Sequence, residues 1–293
     1  MNKNMFILLF LVVLFQACGQ SNSSKKQIDS KQENVSEAST FEIINPEENT
    51  IETRFSPPEG YQRTDSDSSS FSNYLRKLPL KKTGSEVIYF DGASKPNRNV
   101  YDAVVDLPIG KRDLHQCADA VMRLRAEYLF KAEKYDSIHF NFTNGFRADY
   151  TNWKNGKRIS VSGNNVRWKT GSPPSTSYKD FWKYLEMVFS YAGTASLEKE
   201  MKSIAISDIQ IGDVFIKGGF PGHAVIIVDM AINEATKEKV FLLAQSYMPA
   251  QEIQILKNPN NPDIGPWYST NITNELRTPE WTFKKEHLRR FIN

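Results

Sequence analysis

Thiol chemistry at an acyl carbon needs a cysteine that can lose its proton, a base to take it, and a polar group to orient that base. The chain offers one candidate for each, in that order along the sequence. Cys117 lies in "KRDLHQCADAVMRLRAEYLF", residues 111–130, where an apolar periodicity begins. A helix amino terminus at that point supplies a partial positive charge and free backbone N–H groups. His223 follows "IGDVFIKGGFPG" and opens the apolar run "AVIIVDM". A histidine at the start of a buried strand, just after a glycine loop, is placed to face a cleft. Gln245 sits in "VFLLAQS" among apolar residues, odd for packing and sensible for holding an imidazole in one tautomer. Asp229, six residues beyond His223, is the rival holder and stands too far along its strand. Gln116, beside the cysteine, is a candidate oxyanion donor together with the Cys117 backbone N–H.

Each of these residues has a plainer reading. A free cysteine is often a small buried hydrophobe, a strand-end histidine is often a hydrogen-bonded structural group, and a core amide is often simply satisfied. The combination and its chain order favour chemistry over three coincidences. The remaining histidines do not compete. His115 is two residues from Cys117, which on a helix points it elsewhere. His139 lies on an alternating stretch and reads as structural, and His287 lies in the charged "KKEHLRRF" and reads as solvated. One mature thiol and four histidines without ligand spacing predict no metal and no cofactor.

These residues need a scaffold, and the chain is long enough to build one. It has 293 residues, 40% apolar and 12% aromatic, with a formal charge of +3 and no basic run suited to nucleic acid. Ala118, Val121, Met122, Leu124, Ala126, Tyr128 and Leu129 repeat at helical spacing, predicting a helix from Asp113 to about Lys134. Asp119 and Arg123, then Arg123 and Glu127, stand four apart and suit ion pairing. A short helix or packed turn is expected over 71–80, and strands over 85–92, 100–110, 137–146 and 157–168. A long aromatic helix with a shorter one behind it is expected over 178–201, and a run of strands over 209–256. Helices early and an antiparallel sheet late make an α+β domain. The tryptophans Trp153, Trp168, Trp182, Trp267 and Trp281 read mainly as core, while "SYMPAQ" and "NPNNPDIGPWY" are expected to rim the cleft.

Gly212-Asp213-Val214, Gly222-His223-Ala224 and the run Val225 to Val228 resemble the histidine block of the papain-like amidases of the NlpC and CHAP families. The resemblance implies a papain-like α+β domain, with a nucleophile helix near the amino end packed on an antiparallel sheet. It also implies Cys117 as nucleophile, His223 as base and Gln245 as orienter. Two features depart from those families. Gln116-Cys117-Ala118-Asp119 stands where Asp-Cys-Ser-Gly is usual, and the 106 residues from cysteine to histidine imply an insertion near 137–176. "LRKLPL", "CADAVMRLRAEYL", "HFNFTNGF", "LLAQSYMPAQ" and "TPEWTF" also resemble a family of bacterial lipoproteins known only as domain of unknown function 4846. That likeness runs from about 55 to 285 and brings no established activity.

The amino end sets the expected location. Met5 to Phe15 form an apolar stretch too short for a span, which needs ~20 residues, and suited to a signal peptide. Ala17-Cys18 resembles a lipobox, which implies removal of residues 1–17 and acylation of Cys18. Residues 18–50, rich in Ser, Gln, Lys and Glu, read as a disordered tether, leaving 51–293 as the folded domain. The expected protein is therefore a lipid-anchored cell-envelope hydrolase, cutting an amide bond in peptidoglycan stem peptide or a related substrate. The alternative is a surface lipoprotein that binds glycan or a protein partner through a degenerate cleft. A transglutaminase-like acyl transfer is a third reading.

Overall fold

The apolar run over 209–256 builds the centre of one antiparallel sheet in the computed structural model, which describes residues 42–292. Nine strands of the described residues belong to it. The path across it runs Tyr101–Val104, Gln254–Leu256, Lys239–Gln245, His223–Ile232, Val214–Lys217, Leu288–Phe291, Met201–Ser203. Gln62–Arg63 adds to the His223–Ile232 strand, and Tyr268–Ser269 to Lys239–Gln245. A mixed α+β chain with a large antiparallel sheet is what the sequence leads one to expect.

The two central strands are apolar at nearly every position because both of their faces are covered. Ala224, Ile226 and Val228 pack in one cluster with Val121, Met122 and Leu124 of the long early helix. Val225, Ile227 and Met230 pack in another with Phe215, Phe283 and Leu288. Each such Val, Leu or Ile contributes about 1.5–3 kcal/mol by leaving water, so register here is strongly held. Lys217 pairs with His223 across a tight connection, residues 218–222. A Cβ on Gly222 would meet Thr194 Oγ1 at 2.4 Å and Gly219 O at 2.5 Å, so only glycine fits immediately before the histidine.

The helix begins at Cys117 and ends at Lys131, four residues later at its start than the periodicity suggests. Asp113 does not enter it, because its Oδ1 accepts from the Ala250 backbone N–H at 2.7 Å and from Gln116 Nε2 at 3.0 Å. Gln116 takes the cap position, its N–H donating to Asp119 Oδ2 at 3.0 Å. Arg123 pairs with Glu127 at 3.4 Å, while the Asp119 carboxylate serves the cap. Helices Phe71–Arg76, Tyr178–Tyr191 and Thr194–Glu200 lie where expected.

Two expectations change. Residues 85–92 make isolated bridges rather than a strand, since Val87 N–H donates to the Tyr101 hydroxyl and Ile88 N–H to Glu252 Oε2. The stretch 42–50, assigned to the tether, is docked. Ile43 and Ile44 pack on the core, and Ser56 N–H donates to Ile43 O at 2.8 Å. The signal over 1–17, Cys18 and the tether up to residue 41 lie outside the described residues. Between the two long helices, Lys157–Ser162 pairs with Asn165–Thr170 and His139–Asn141 with Arg147–Asp149, both apart from the main sheet. No helix among the described residues is long and apolar enough to cross a membrane.

Candidate active site

At the end of the sheet where the His223–Ile232 strand begins, a cavity of about 500 Å³ is lined by Cys117, Asp119, Phe189, His223, Tyr247 and Trp281, among others. Another cavity, about 520 Å³, lies between Phe71–Arg76 and the far part of the Cys117 helix, and neither cysteine nor histidine lines it. Volume does not separate the two cavities. Chemistry does.

The helix delivers Cys117 as its first residue, 7% exposed. Burial pushes the thiol up to about 11, the Asp119 carboxyl beside it adds to that push, and the backbone N–H groups of Ala118, Ala224 and Cys117 oppose it. The expected lowering by a helix amino terminus is therefore outweighed. A low-dielectric pocket disfavours the thiolate more than a few amide dipoles favour it. Asp119 itself is lifted well above the usual carboxylate range by burial.

The strand delivers His223, 1% exposed, at its first residue. Nε2–H donates to Gln245 Oε1 at 2.8 Å. Nδ1 has no partner among the described residues, and the ring lines the cavity that Cys117 also lines. Tyr247, Trp281 and Phe283 surround the ring at 4.7, 5.3 and 5.8 Å between centroids. Burial in that aromatic box lowers the imidazole to about 4, against the opposing effect of the hydrogen bond it donates to Gln245. At neutral pH the resting pair is a neutral thiol and a neutral imidazole.

Gln245 ends the neighbouring strand and is buried. Behind it the polar contacts continue. Gln245 Nε2 donates to Glu280 Oε2 at 2.7 Å, and Lys95 Nζ donates to the same oxygen at 2.7 Å. Neither Lys95 nor Glu280 stands out in the sequence. Glu280 lies inside "TPEWTF" beside a cavity-lining tryptophan, the one local hint, and Lys95 sits in a polar loop 185 residues before its partner.

Gln116 lines the cavity, and its side chain donates to Asp113 Oδ1 at 3.0 Å. Asp229 lies far from this end, held by Arg76 Nε at 2.6 Å and Arg63 Nε at 2.8 Å. His115 is buried outside the helix with Nδ1 3.0 Å from Gln251 O, and burial lowers it to about 3. His139 is half-buried in its short strand, and His287 accepts from Lys284 N–H near the surface. Tyr247 and Met248 of "SYMPAQ" do line the cavity. "NPNNPDIGPWY" does not: Trp267 is fully buried and donates to Ser56 O at 2.8 Å. Of the five tryptophans only Trp281 reaches the cavity.

A family model described as domain of unknown function (4846) matches residues 51–290, and the chain belongs to that family. No curated protein and no solved structure matches it.

Proposed function

We propose that this chain is a cell-envelope lipoprotein whose papain-like site hydrolyses an amide bond, in peptidoglycan stem peptide or a related substrate. The observation that carries the reading is the shared cavity. A thiol at a helix start and an imidazole held from behind by an amide line the same cavity, with the second ring nitrogen unpartnered among the described residues.

The resting protonation sets the mechanism. Because burial holds Cys117 as a thiol and His223 as a neutral base, the nucleophile is made during attack. Sulfur bonds to the amide carbon while its proton moves to His223 Nδ1, and backbone N–H groups at the helix start receive the oxyanion. The imidazolium then protonates the leaving nitrogen, the carbon–nitrogen bond breaks, and a thioester remains. Water, deprotonated by His223 Nδ1, attacks the thioester carbon; the carbon–sulfur bond breaks, the acid leaves, and the imidazolium returns its proton to the sulfur. Gln245 holds the ring throughout.

The cavity rim fits a site that grips a chain rather than a small ion. Phe220 is 96% exposed and Met248 54% exposed, and both line the opening. Acylation of Cys18 and loss of residues 1–17 would hold this opening near the wall, with more than one acyl chain giving stable attachment. A second reading, a cleft that binds glycan or a protein partner without chemistry, draws on the raised thiol. Purified wall fragments incubated with the domain and with its Cys117→Ala variant separate the two. New amine-bearing products from the unmutated domain alone support hydrolysis. Identical chromatograms across a broad fragment panel remove it.

A further inference from the structure

An amide fits its slot almost equally well either way round, so a neighbour must choose its orientation. For Gln245 the choice decides the chemistry. With oxygen toward the ring, His223 carries hydrogen on Nε2 and offers a lone pair at Nδ1. With nitrogen toward the ring, the hydrogen moves to Nδ1 and no base remains for the thiol. Local packing does not make this choice, since both ends of an amide have similar size.

The chain of contacts behind Gln245 does make it. A carboxylate oxygen accepts, so Glu280 Oε2, 2.7 Å from Gln245 Nε2, demands the nitrogen on its side. The same oxygen receives Lys95 Nζ at 2.7 Å, and Lys95 is 3% exposed. Lys95 also donates to Gln251 Oε1 at 3.0 Å, and that second amide is itself fixed. Its Nε2 donates to Pro249 O at 3.0 Å, while Gln254 Nε2 donates to its oxygen at 2.9 Å. From the Pro249 carbonyl to the imidazole every donor meets an acceptor, with the Lys95 ammonium donating to both sides and the Glu280 carboxylate accepting from both.

We propose that Glu280, fixed in place by Lys95, is the positioning residue that sets the amide orientation of Gln245 and through it the tautomer of His223. The proposal deepens the hydrolase reading and rests on Cys117 and His223 being its reacting pair. A purely structural role makes a different forecast. Replacing a buried ion pair by apolar groups is commonly neutral or stabilising, so a structural pair could be removed with no change at the histidine.

Nitrogen-15 correlation spectra of the imidazoles at neutral pH read the tautomer directly, without turnover. The unmutated protein should show His223 as a single Nε2–H species, and an Nδ1–H species there overturns the proposal before any variant is made. Glu280→Met leaves Lys95 only Gln251 Oε1 to donate to, Gln245 turns its oxygen to the ammonium, and His223 shifts to Nδ1–H. Glu280→Gln keeps an accepting oxygen and keeps the Nε2–H species. Lys95→Met with Glu280→Met removes both charges together, so that no unpaired Lys95 charge is left buried, and gives a mixture of both tautomers. A single Nε2–H species in both the Glu280→Met and the double variant overturns the proposal. If the tautomer follows Glu280 but wall fragments stay intact, the hydrolase reading fails and this one stands.

Discussion

One strand, His223–Ile232, carries a buried polar cluster near each end, and the two are built to opposite rules. Toward its far end the Asp229 carboxylate is fully buried and saturated, taking Arg76 Nε and the Met230 N–H on one oxygen and Arg63 Nε on the other. At its start His223 has one nitrogen bonded and the other left toward a cavity. Both Asp229 and His223 are almost wholly buried, so burial does not separate the two ends. What marks the His223 end is a ring nitrogen without a partner among the described residues, on a residue that shares a cavity with a thiol. Saturation belongs to a clamp, and incompleteness at a cavity belongs to chemistry.

The comparison breaks first if crossed substitutions fail to separate. Cys117→Ala should abolish turnover of wall fragments while costing about 1 kcal/mol of stability, typical of a small change. Asp229→Ala leaves buried Arg76 and partly buried Arg63 without their shared carboxylate. It should cost about 3–5 kcal/mol in urea unfolding, with activity following only the folded fraction. If Asp229→Ala melts like the unmutated protein, the far cluster is no clamp.

His223→Ala should lower kcat about 10²–10⁴-fold, the usual range for a positioned acid–base group, and slow iodoacetamide alkylation of Cys117. Alkylation in the unmutated protein should rise with a midpoint near the raised thiol value of about 11, not near an ordinary cysteine. A midpoint below 8 would mean a preformed thiolate pair and a different first step.

Acid should weaken the His223 end selectively. The folded imidazole, at about 4, lies below its unfolded value of 6.5, so between those limits the unfolded chain binds more protons and stability falls as pH falls. The loss attributable to His223 is on the order of 3 kcal/mol across that window, and His115, lowered to about 3, adds to it. Removing His223 should flatten the stability profile between pH 6.5 and 4, which urea midpoints at several pH values would show. The smallest effect belongs to Phe220→Ser. With its ring almost wholly in solvent, stability should move by less than about 0.5 kcal/mol, while KM rises and kcat holds.

The sequence shows the front of the site and hides its back. Cys117, His223 and Gln245 are visible because each interrupts or opens a periodic apolar run, and periodicity is a local property. Lys95 and Glu280 sit in polar loops where charged residues are ordinary, and only the fold brings them together. Asp113 shows the same limit on a smaller scale. It looks like the first residue of a helix until Ala250, 137 residues away, claims its carboxylate. The thiol value is missed for a related reason: the helix start is legible, but the depth at which it is buried is not.

The wide separation of these partners has a consequence for how the chain acquires its chemistry. Tyr101–Val104 finds its partner at Gln254–Leu256, and Glu280 closes on Lys95 across 185 residues. Contacts so distant along the chain make a slow-folding topology, in which loop closure must precede any reward from pairing. A fragment ending before "TPEWTF" lacks Glu280 and Trp281, and so lacks part of the candidate site. Completion of the proposed site thus waits on Glu280 and on the strand Leu288–Phe291.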